Sequence, residues 1–262
     1  ANPGEIVLEV TNLVRPSMTR NISFHVRAGE IVGLAGLVGS GRSELAQVIF
    51  GITPAHSGKI TFKGREVKIK TPAQAIGLGI AYVPEDRGTQ GLVRQMAIRE
   101  NASMAVLKRL SNMTFIQYTK ERLLARDAIK QLNIRAYSSE QIVNKLSGGN
   151  QQKVVVSKWL ASKPSLLIMD EPTRGIDVGA KAEIHRLMSQ LAVEEGIAVL
   201  MISSELPEIL GMSDRVLVMR EGQIVAQFTR AEATQEAIAG AMMKAESSSS
   251  ERTPEPTTEL SS

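Results

Sequence analysis

The stretch Gly36-Leu37-Val38-Gly39-Ser40-Gly41-Arg42-Ser43 has the frame of a phosphate-binding loop: Gly, four residues, Gly, a cation, then a hydroxyl. Glycines in such a loop let backbone N–H groups converge on an anion. Gly36 and Gly41 hold the required positions, with Gly39 and Ser40 between them. Ser43 would set its hydroxyl on Mg²⁺, and Glu44 follows it into the first turn of a helix. The cation is Arg42 where the frame calls for Lys. A planar guanidinium fork differs from an ammonium in reach and geometry, so the exchange is not conservative. Taken alone, the stretch is equally a Gly-rich turn before a helix.

Two further stretches carry chemistry. Leu166-Leu167-Ile168-Met169 is a buried-type strand that ends in Asp170-Glu171. Asp170 is suited to hold Mg²⁺ through water, and Glu171 to polarise an attacking water. Leu146-Ser147-Gly148-Gly149-Asn150-Gln151-Gln152 offers a Ser and two Gly at a helix start, where free N–H groups and the positive helix end suit an anion. Read singly, the first is a strand with a polar end and the second an ordinary capped helix.

The elements that must position these residues follow from periodicity. Strands are expected at Ile6–Val10, Asn21–Val26, Glu30–Ala35, Lys59–Lys63, Ile80–Val83, Leu166–Met169 and Ile197–Ile202, with a hairpin of Val216–Met219 and Gln223–Phe228 turning at Glu221-Gly222. Helices are expected at Ser43–Phe50, from Thr71-Pro72 to Ile76, at about 151–162 with Ser147 as N-cap, at about 179–195, and from Thr229 to Lys244. Met96 to Leu132 is mostly helical, with a break near Ser111-Asn112. The phosphate loop therefore sits between a strand and a helix. Strands alternating with helices indicate an α/β fold with a mainly parallel sheet, into which residues 87–145 insert a helical section. The tail, Glu246–Ser262, is Ser, Thr, Pro and Glu with almost nothing apolar and is expected to be disordered.

The 262 residues allow one large domain or two small ones. No Cys is present, which excludes disulfides and Cys-ligated zinc. No apolar run approaches the ~18 residues of a membrane span. The start, Ala1-Asn2-Pro3-Gly4, has no Met and reads as the cut edge of a longer or processed protein. Net charge is +4 and unevenly spread: between Arg87 and Arg135 stand ten Lys/Arg against three acids, so this middle section is basic and the remainder slightly acidic. Aromatics make up 3%, too few for a base-stacking platform, which argues against single-stranded nucleic acid as a partner.

The order of loop, Leu-Ser-Gly-Gly signature and Asp-Glu-Pro-Thr resembles the nucleotide-binding domain of ABC ATPases, and the signature Ser147 lies 23 residues before Asp170, as in that family. The resemblance covers roughly residues 5 to 244. More narrowly, Pro84-Glu85-Asp86-Arg87, Ser147-Gly148-Gly149-Asn150-Gln151-Gln152-Lys153, the stretch from Asp170 to Ala180 and Ser203-Ser204-Glu205-Leu206-Pro207-Glu208 resemble the C-terminal ATPase half of bacterial sugar importers of the ribose, galactose, xylose and autoinducer-2 type.

The resemblance implies a P-loop core with an N-terminal antiparallel β subdomain and the inserted helical subdomain, about 87–145, within one nucleotide-binding domain, 1–245. It implies ATP and Mg²⁺, and two ATPase domains stacked head to tail. Ser147, Gly148, Gly149 and Asn150 would then face ATP held by the partner domain, and Asp177 would lie at the interface. It further implies membrane permease subunits docking on the helical section, a periplasmic or extracellular sugar-binding protein acting through them, and a place at the cytoplasmic face of the cell membrane. Three positions depart from the family pattern: Arg42 for the loop Lys, Glu85 where a Gln reaches Mg²⁺, and Ser204 where a switch His contacts the γ-phosphate. No clear adenine-stacking aromatic precedes the loop, and His25, His56 and His185 read as surface or packing residues. Glu171 and Ser43 are retained. The expectation is a site that binds ATP and hydrolyses it poorly on this chain's own loop, beside an intact signature that completes the partner's site. The alternative is a non-catalytic, regulatory ATP-binding half. A third reading, an ABC ATPase of DNA repair or translation, lacks the coiled-coil insertion and the matching strings.

Overall fold

The fold, a computed structural model, describes residues 4–112 and 115–243. Alternating apolar residues in β1 (Ile6–Arg15) and β2 (Thr19–Arg27) pair these strands antiparallel, with Leu8, Val10, Ile22 and Val26 turned inward. In β3 (Ile31–Gly36) every residue is buried, as expected of a strand covered on both faces. It runs through the phosphate-loop stretch into helix α1 (Arg42–Phe50), which stops at Gly51 in the left-handed conformation, φ 79°. Next come β4 (Ser57–Phe62), β5 (Arg65–Val67), helix α2 (Pro72–Leu78) and β6 (Ile80–Val83). Thr71 caps α2 as expected, its hydroxyl accepting from the Gln74 N–H at 3.4 Å.

The inserted section holds α3 (Ile98–Ser103), α4 (Leu107–Leu110), a two-stranded hairpin of β7 (Ser111–Asn112) with β8 (Phe115–Ile116), and α5 (Tyr118–Gln131). The break anticipated near Ser111-Asn112 is this hairpin. A buried carboxylate ties α5 to α3: Glu121, 2% exposed, accepts from Arg99 Nη1 at 2.6 Å and from the Ser103 hydroxyl at 2.8 Å. Several of the basic side chains are neutralised nearby, Arg99 and Arg122 by Glu140 and Arg135 by Glu183.

The chain then forms α6 (Gly148–Leu160), β9 (Leu166–Asp170), α7 (Val178–Val193), β10 (Ala198–Ile202), α8 (Leu206–Met212), β11 (Arg215–Arg220), β12 (Gln223–Thr229) and α9 (Gln235–Met243). Six strands make one sheet in the order β12-β11-β3-β10-β9-β6, parallel except for the β11/β12 hairpin. A separate antiparallel sheet runs β2-β1-β4-β5. At the β11/β12 turn Glu221 and Gly222 both have positive φ, 50° and 77°, as a tight hairpin requires. Two expectations needed correction. Helix α6 begins at Gly148, three residues before the expected start. Helix α9 begins at Gln235 and not at Thr229: the Thr229 N–H and hydroxyl both bind Glu232, making a turn, and the Thr234 hydroxyl accepts the Ala237 N–H. Lys244 and the tail expected to be disordered lie outside the described residues.

Candidate nucleotide site

The loop between β3 and α1 turns on glycines in conformations that other residues rarely adopt. Gly39 and Gly41 have φ of 82° and 98°, a region L side chains rarely adopt. A Cβ on Gly36 would lie 2.4 Å from Ser40 Oγ and 2.6 Å from the Met219 carbonyl, so the loop closes tightly over the ends of β3 and neighbouring β11. The hairpin turn braces it from outside, the Gly222 N–H donating to the Ser40 carbonyl at 2.9 Å. No side chain caps the first turn of α1, so its N–H groups and positive end are free for an anion. The Ser40 hydroxyl is buried with no protein hydrogen-bond partner. Glu44 is half-buried in the first turn of α1.

Adjacent strands bring the second stretch alongside. Asp170, fully buried at the end of β9, accepts from the Ser43 hydroxyl at 3.1 Å and from the Tyr82 hydroxyl of neighbouring β6 at 3.0 Å. Burial raises the Asp170 pKa against the lowering effect of those two hydrogen bonds. The Tyr82 phenol is pushed up in turn, by burial first and then by the Asp170 charge. Mg²⁺ favours oxygen ligands and is commonly held by one or two protein groups plus phosphate and water. Ser43 and Asp170 fit that pattern, and no group of three or more His, Asp or Glu among the described residues could hold a metal by itself. Glu85 does not join this pair through any hydrogen bond; its carboxylate is ion-paired with Arg174.

Arg42 takes a course that Lys could not copy. Its guanidinium, 8% exposed, donates from Nη1 to the Ser203 carbonyl at 2.7 Å, and its Nη2 stands 3.9 Å from Glu171 Oε1. The Ser204 hydroxyl donates to the other Glu171 oxygen at 3.1 Å. The carboxylate suited to activating water is thus held between two neighbours of its own chain. Burial lowers the Arg42 pKa, with the charges of Glu171 and Asp170 opposing it. Glu171 has a φ of 47°, left-handed for a residue with a side chain, and its N–H donates to the Ile202 carbonyl at 2.9 Å.

The signature stretch lies apart from these hydrogen bonds. Ser147 is the N-cap residue of α6 by backbone, but its side chain caps no N–H. Its hydroxyl accepts from Asn150 Nδ2 at 2.8 Å, and Asn150 Oδ1 accepts from the Arg135 N–H at 2.8 Å. Ser147 is exposed, and Gly149 is pressed so close to α7 that a Cβ would meet Ala180 Cβ at 2.4 Å. Asp177, also exposed, caps α7 by accepting from the Ala180 N–H at 2.9 Å. Of the histidines, His185 is not idle packing: its Nε2 lies 2.6 Å from Glu208, which also accepts from the Thr173 hydroxyl.

Sequence reasoning missed Tyr82, because its partnership with Asp170 depends on β6 lying next to β9, a pairing of distant segments. It also missed the reach of Arg42 to Ser203, although the Arg itself was the signal.

The fold is shared with solved proteins. The fold matches a nucleotide-free ATP-binding cassette from an ABC transporter with a TM-score of 0.76, at 23% identity, over 92% of this chain and 100% of that one. It matches a dimeric ATP-binding cassette in a post-hydrolysis state with ADP and phosphate at 0.72 and 19% identity, over 85% and 98%. The chain belongs to the ABC transporter family, which it matches over residues 19–174. It is 52% identical to the ribose import ATP-binding protein RbsA of Rhodococcus jostii (strain RHA1), over 90% of this chain and 47% of that protein. A relative from Pseudomonas savastanoi pv. phaseolicola, 53% identical over 90% of this chain and 45% of its own length, bears a provisional name that spans ribose, galactose and methyl galactoside import. The chain spans about half the length of the curated relatives it matches. No helix among the described residues is long and apolar enough to cross a membrane.

Proposed function

We propose that this chain is the ATP-binding, energy-coupling half of a sugar importer, working as one nucleotide-binding unit over 1–245. ATP and Mg²⁺ lie at composite sites shared with a second ATPase domain, each formed by one domain's phosphate loop and the other's signature. The second domain is the N-terminal half of the same protein, in keeping with relatives of about twice this length. Membrane permease subunits dock on the cytoplasmic side of the cell membrane, and a periplasmic or extracellular sugar-binding protein acts through them. An apolar groove of about 510 Å³ supports the docking; Phe50, Ile52, Ile76, Met104 and Trp159 line it where the inserted section meets the core.

On its own loop the chain would supply backbone N–H groups and the Ser40 hydroxyl to phosphate, and Ser43 with Asp170 to Mg²⁺. Mg²⁺, when bound, would offset negative charge on the phosphates. Glu171 would accept a proton from water. What separates this site from an efficient one is the Arg42 guanidinium, which bonds the Ser203 carbonyl and faces Glu171, while Ser204 replaces an imidazole with a hydroxyl that bonds the same carboxylate. Loss of one charge-stabilising group costs ~10²–10³ in rate. The steady-state ATPase of the isolated chain is therefore expected to lie at least about 100-fold below that of the assembled pair. Turnover near the pair's, abolished by Glu171→Gln, overturns this. The same contacts favour the second reading, a regulatory half that binds ATP without hydrolysing it; ATP bound but not cleaved in a pair whose partner loop is disabled selects that reading.

A further inference from the structure

Immediately after β6 the chain makes a single π-helical turn, Arg87–Gly91, that belongs to none of the three motif stretches. Asp86 fixes it: Oδ1 accepts from the Gly88 N–H at 2.8 Å and the Thr89 N–H at 3.2 Å. The turn directs the half-buried Arg87 side chain across to the segment between Glu171 and α7. There Nη1 donates to the Arg174 carbonyl at 2.7 Å and Nη2 to the Gly175 carbonyl at 2.9 Å. Glu85, two residues earlier, holds the side chain of Arg174 itself by an ion pair. Glu85 and Arg87 thus grip one residue at both ends, and Gly175 has a φ of 66° as its carbonyl turns to the guanidinium.

The same guanidinium reaches the signature. A Cβ on Gly148 would stand 2.8 Å from Arg87 Nη2 and 3.2 Å from the Gly175 carbonyl. So the first residue of α6, the Arg87 fork and the segment leading to Asp177 meet closely at the wall of an open cleft lined by Arg87, Arg174 and Gly175. A guanidinium fits here because two N–H groups in a fixed plane satisfy two successive carbonyls, which an ammonium cannot do.

We propose that Arg87 is a positioning residue for ATP hydrolysis on the partner domain: it locks the signature Ser147–Gly149 and the Asp177 segment into one rigid face and ties that face to the turn after β6. This rests on the composite-site reading above. Arg87 touches no ATP in that arrangement; it acts through Gly148 and through the Arg174 and Gly175 carbonyls. Its effect is therefore in trans, on turnover at a phosphate loop this chain does not own, and it should survive inactivation of this chain's own site.

The experiment uses the chain assembled with its second ATPase domain and measures ATP turnover for Glu171→Gln alone and for Glu171→Gln combined with Arg87→Met or Arg87→Lys. Glu171→Gln removes whatever turnover this chain's own loop contributes, and what remains is turnover at the partner domain's loop. Arg87→Met is expected to lower that remainder about tenfold, the scale of one charge-assisted hydrogen bond, with Arg87→Lys recovering part of it. Thermal melts accompany the assay; where Arg87→Met does not fold, the Arg87→Lys drop at an unchanged melting temperature is the measurement. Retained turnover in Glu171→Gln that neither Arg87 variant changes by more than twofold overturns the role of Arg87 and leaves the composite site standing. Complete loss in Glu171→Gln alone overturns both.

Discussion

The phosphate-loop side and the signature side of this chain use their polar groups in opposite ways. Around the loop, charge is turned inward: Arg42 and Asp170 are buried, Asp170 is shared between Ser43 and Tyr82, and Glu171 is held by Arg42 and Ser204. Around the signature, Ser147 and Asp177 are exposed, and the strong contacts lie behind them, from Arg87 to Arg174 and Gly175 and from Asn150 to Arg135. One side satisfies itself and the other is braced so that it can be presented. A site whose charged groups already have protein partners must give them up to a ligand, while a braced and open one need not rearrange. That contrast supports the proposal that the chain's stronger contribution lies in its signature.

Gly148→Ala tests the contrast with the largest effect. Its Cβ would stand 2.8 Å from Arg87 Nη2 and 3.2 Å from the Gly175 carbonyl, displacing the Arg87 fork from the presented face, and turnover of the assembled pair is expected to fall on the order of 100-fold, read by steady-state ATPase. A loss under threefold would remove the idea that this face is rigidly braced.

Lys158, on the signature helix, comes next. It is buried, donates to the Gly91 carbonyl at 2.6 Å, and burial alone pulls its pKa from 10.5 down to about 8. Between pH 8 and 10.5 the unfolded chain keeps a proton that the native chain has released, so native stability rises with pH across that window and is flat below it. Lys158→Met lacks this contribution. Its advantage over the wild type near pH 7 should shrink by about 3 kcal/mol by pH 10.5, followed by urea midpoints at each pH. A gap that stays constant with pH would show that the charge carries no burial cost.

Smaller effects sharpen the comparison. Asp177→Ala removes the cap of α7 and should cost about 1 kcal/mol in chemical denaturation; a cost near zero would mean that the Ala180 N–H finds another acceptor. Ser204→Ala deletes an exposed hydroxyl and is expected to change stability by less than about 0.5 kcal/mol and the pair's turnover by less than twofold. A tenfold fall would show that the Ser204 hydroxyl contributes to turnover.

Much of this was legible in the residues. The loop glycines, the apolar strand ending in Asp170-Glu171 and the Ser147-Gly148-Gly149 helix start were each readable because their chemistry is local: backbone freedom, hydrophobic run and cap. The parallel sheet followed from the alternation of elements. What was hidden depends on contacts between distant segments. Tyr82 meets Asp170 only because β6 lies beside β9, and Arg42 meets Ser203 only because β10 lies between β3 and β9. The start of α9 was misread because apolar spacing continues back to Thr229, whereas Glu232 and Thr234 bind the backbone locally and delay the helix. Arg87 stood out in the residues only as one of ten basic side chains and the end of the Pro84-Glu85-Asp86-Arg87 string; its role against two carbonyls came with the fold.

The left-handed backbone of Glu171 has a consequence for anyone improving this protein. A residue with a side chain at φ 47° is held in a conformation that Gly would adopt freely. A library screened for heat resistance alone should thus be drawn to Gly at this position, gaining stability as it discards the carboxylate. Selection for heat alone would thus discard the carboxylate that Arg42 and Ser204 hold, and an engineered thermostable form that keeps it would need that residue fixed in advance.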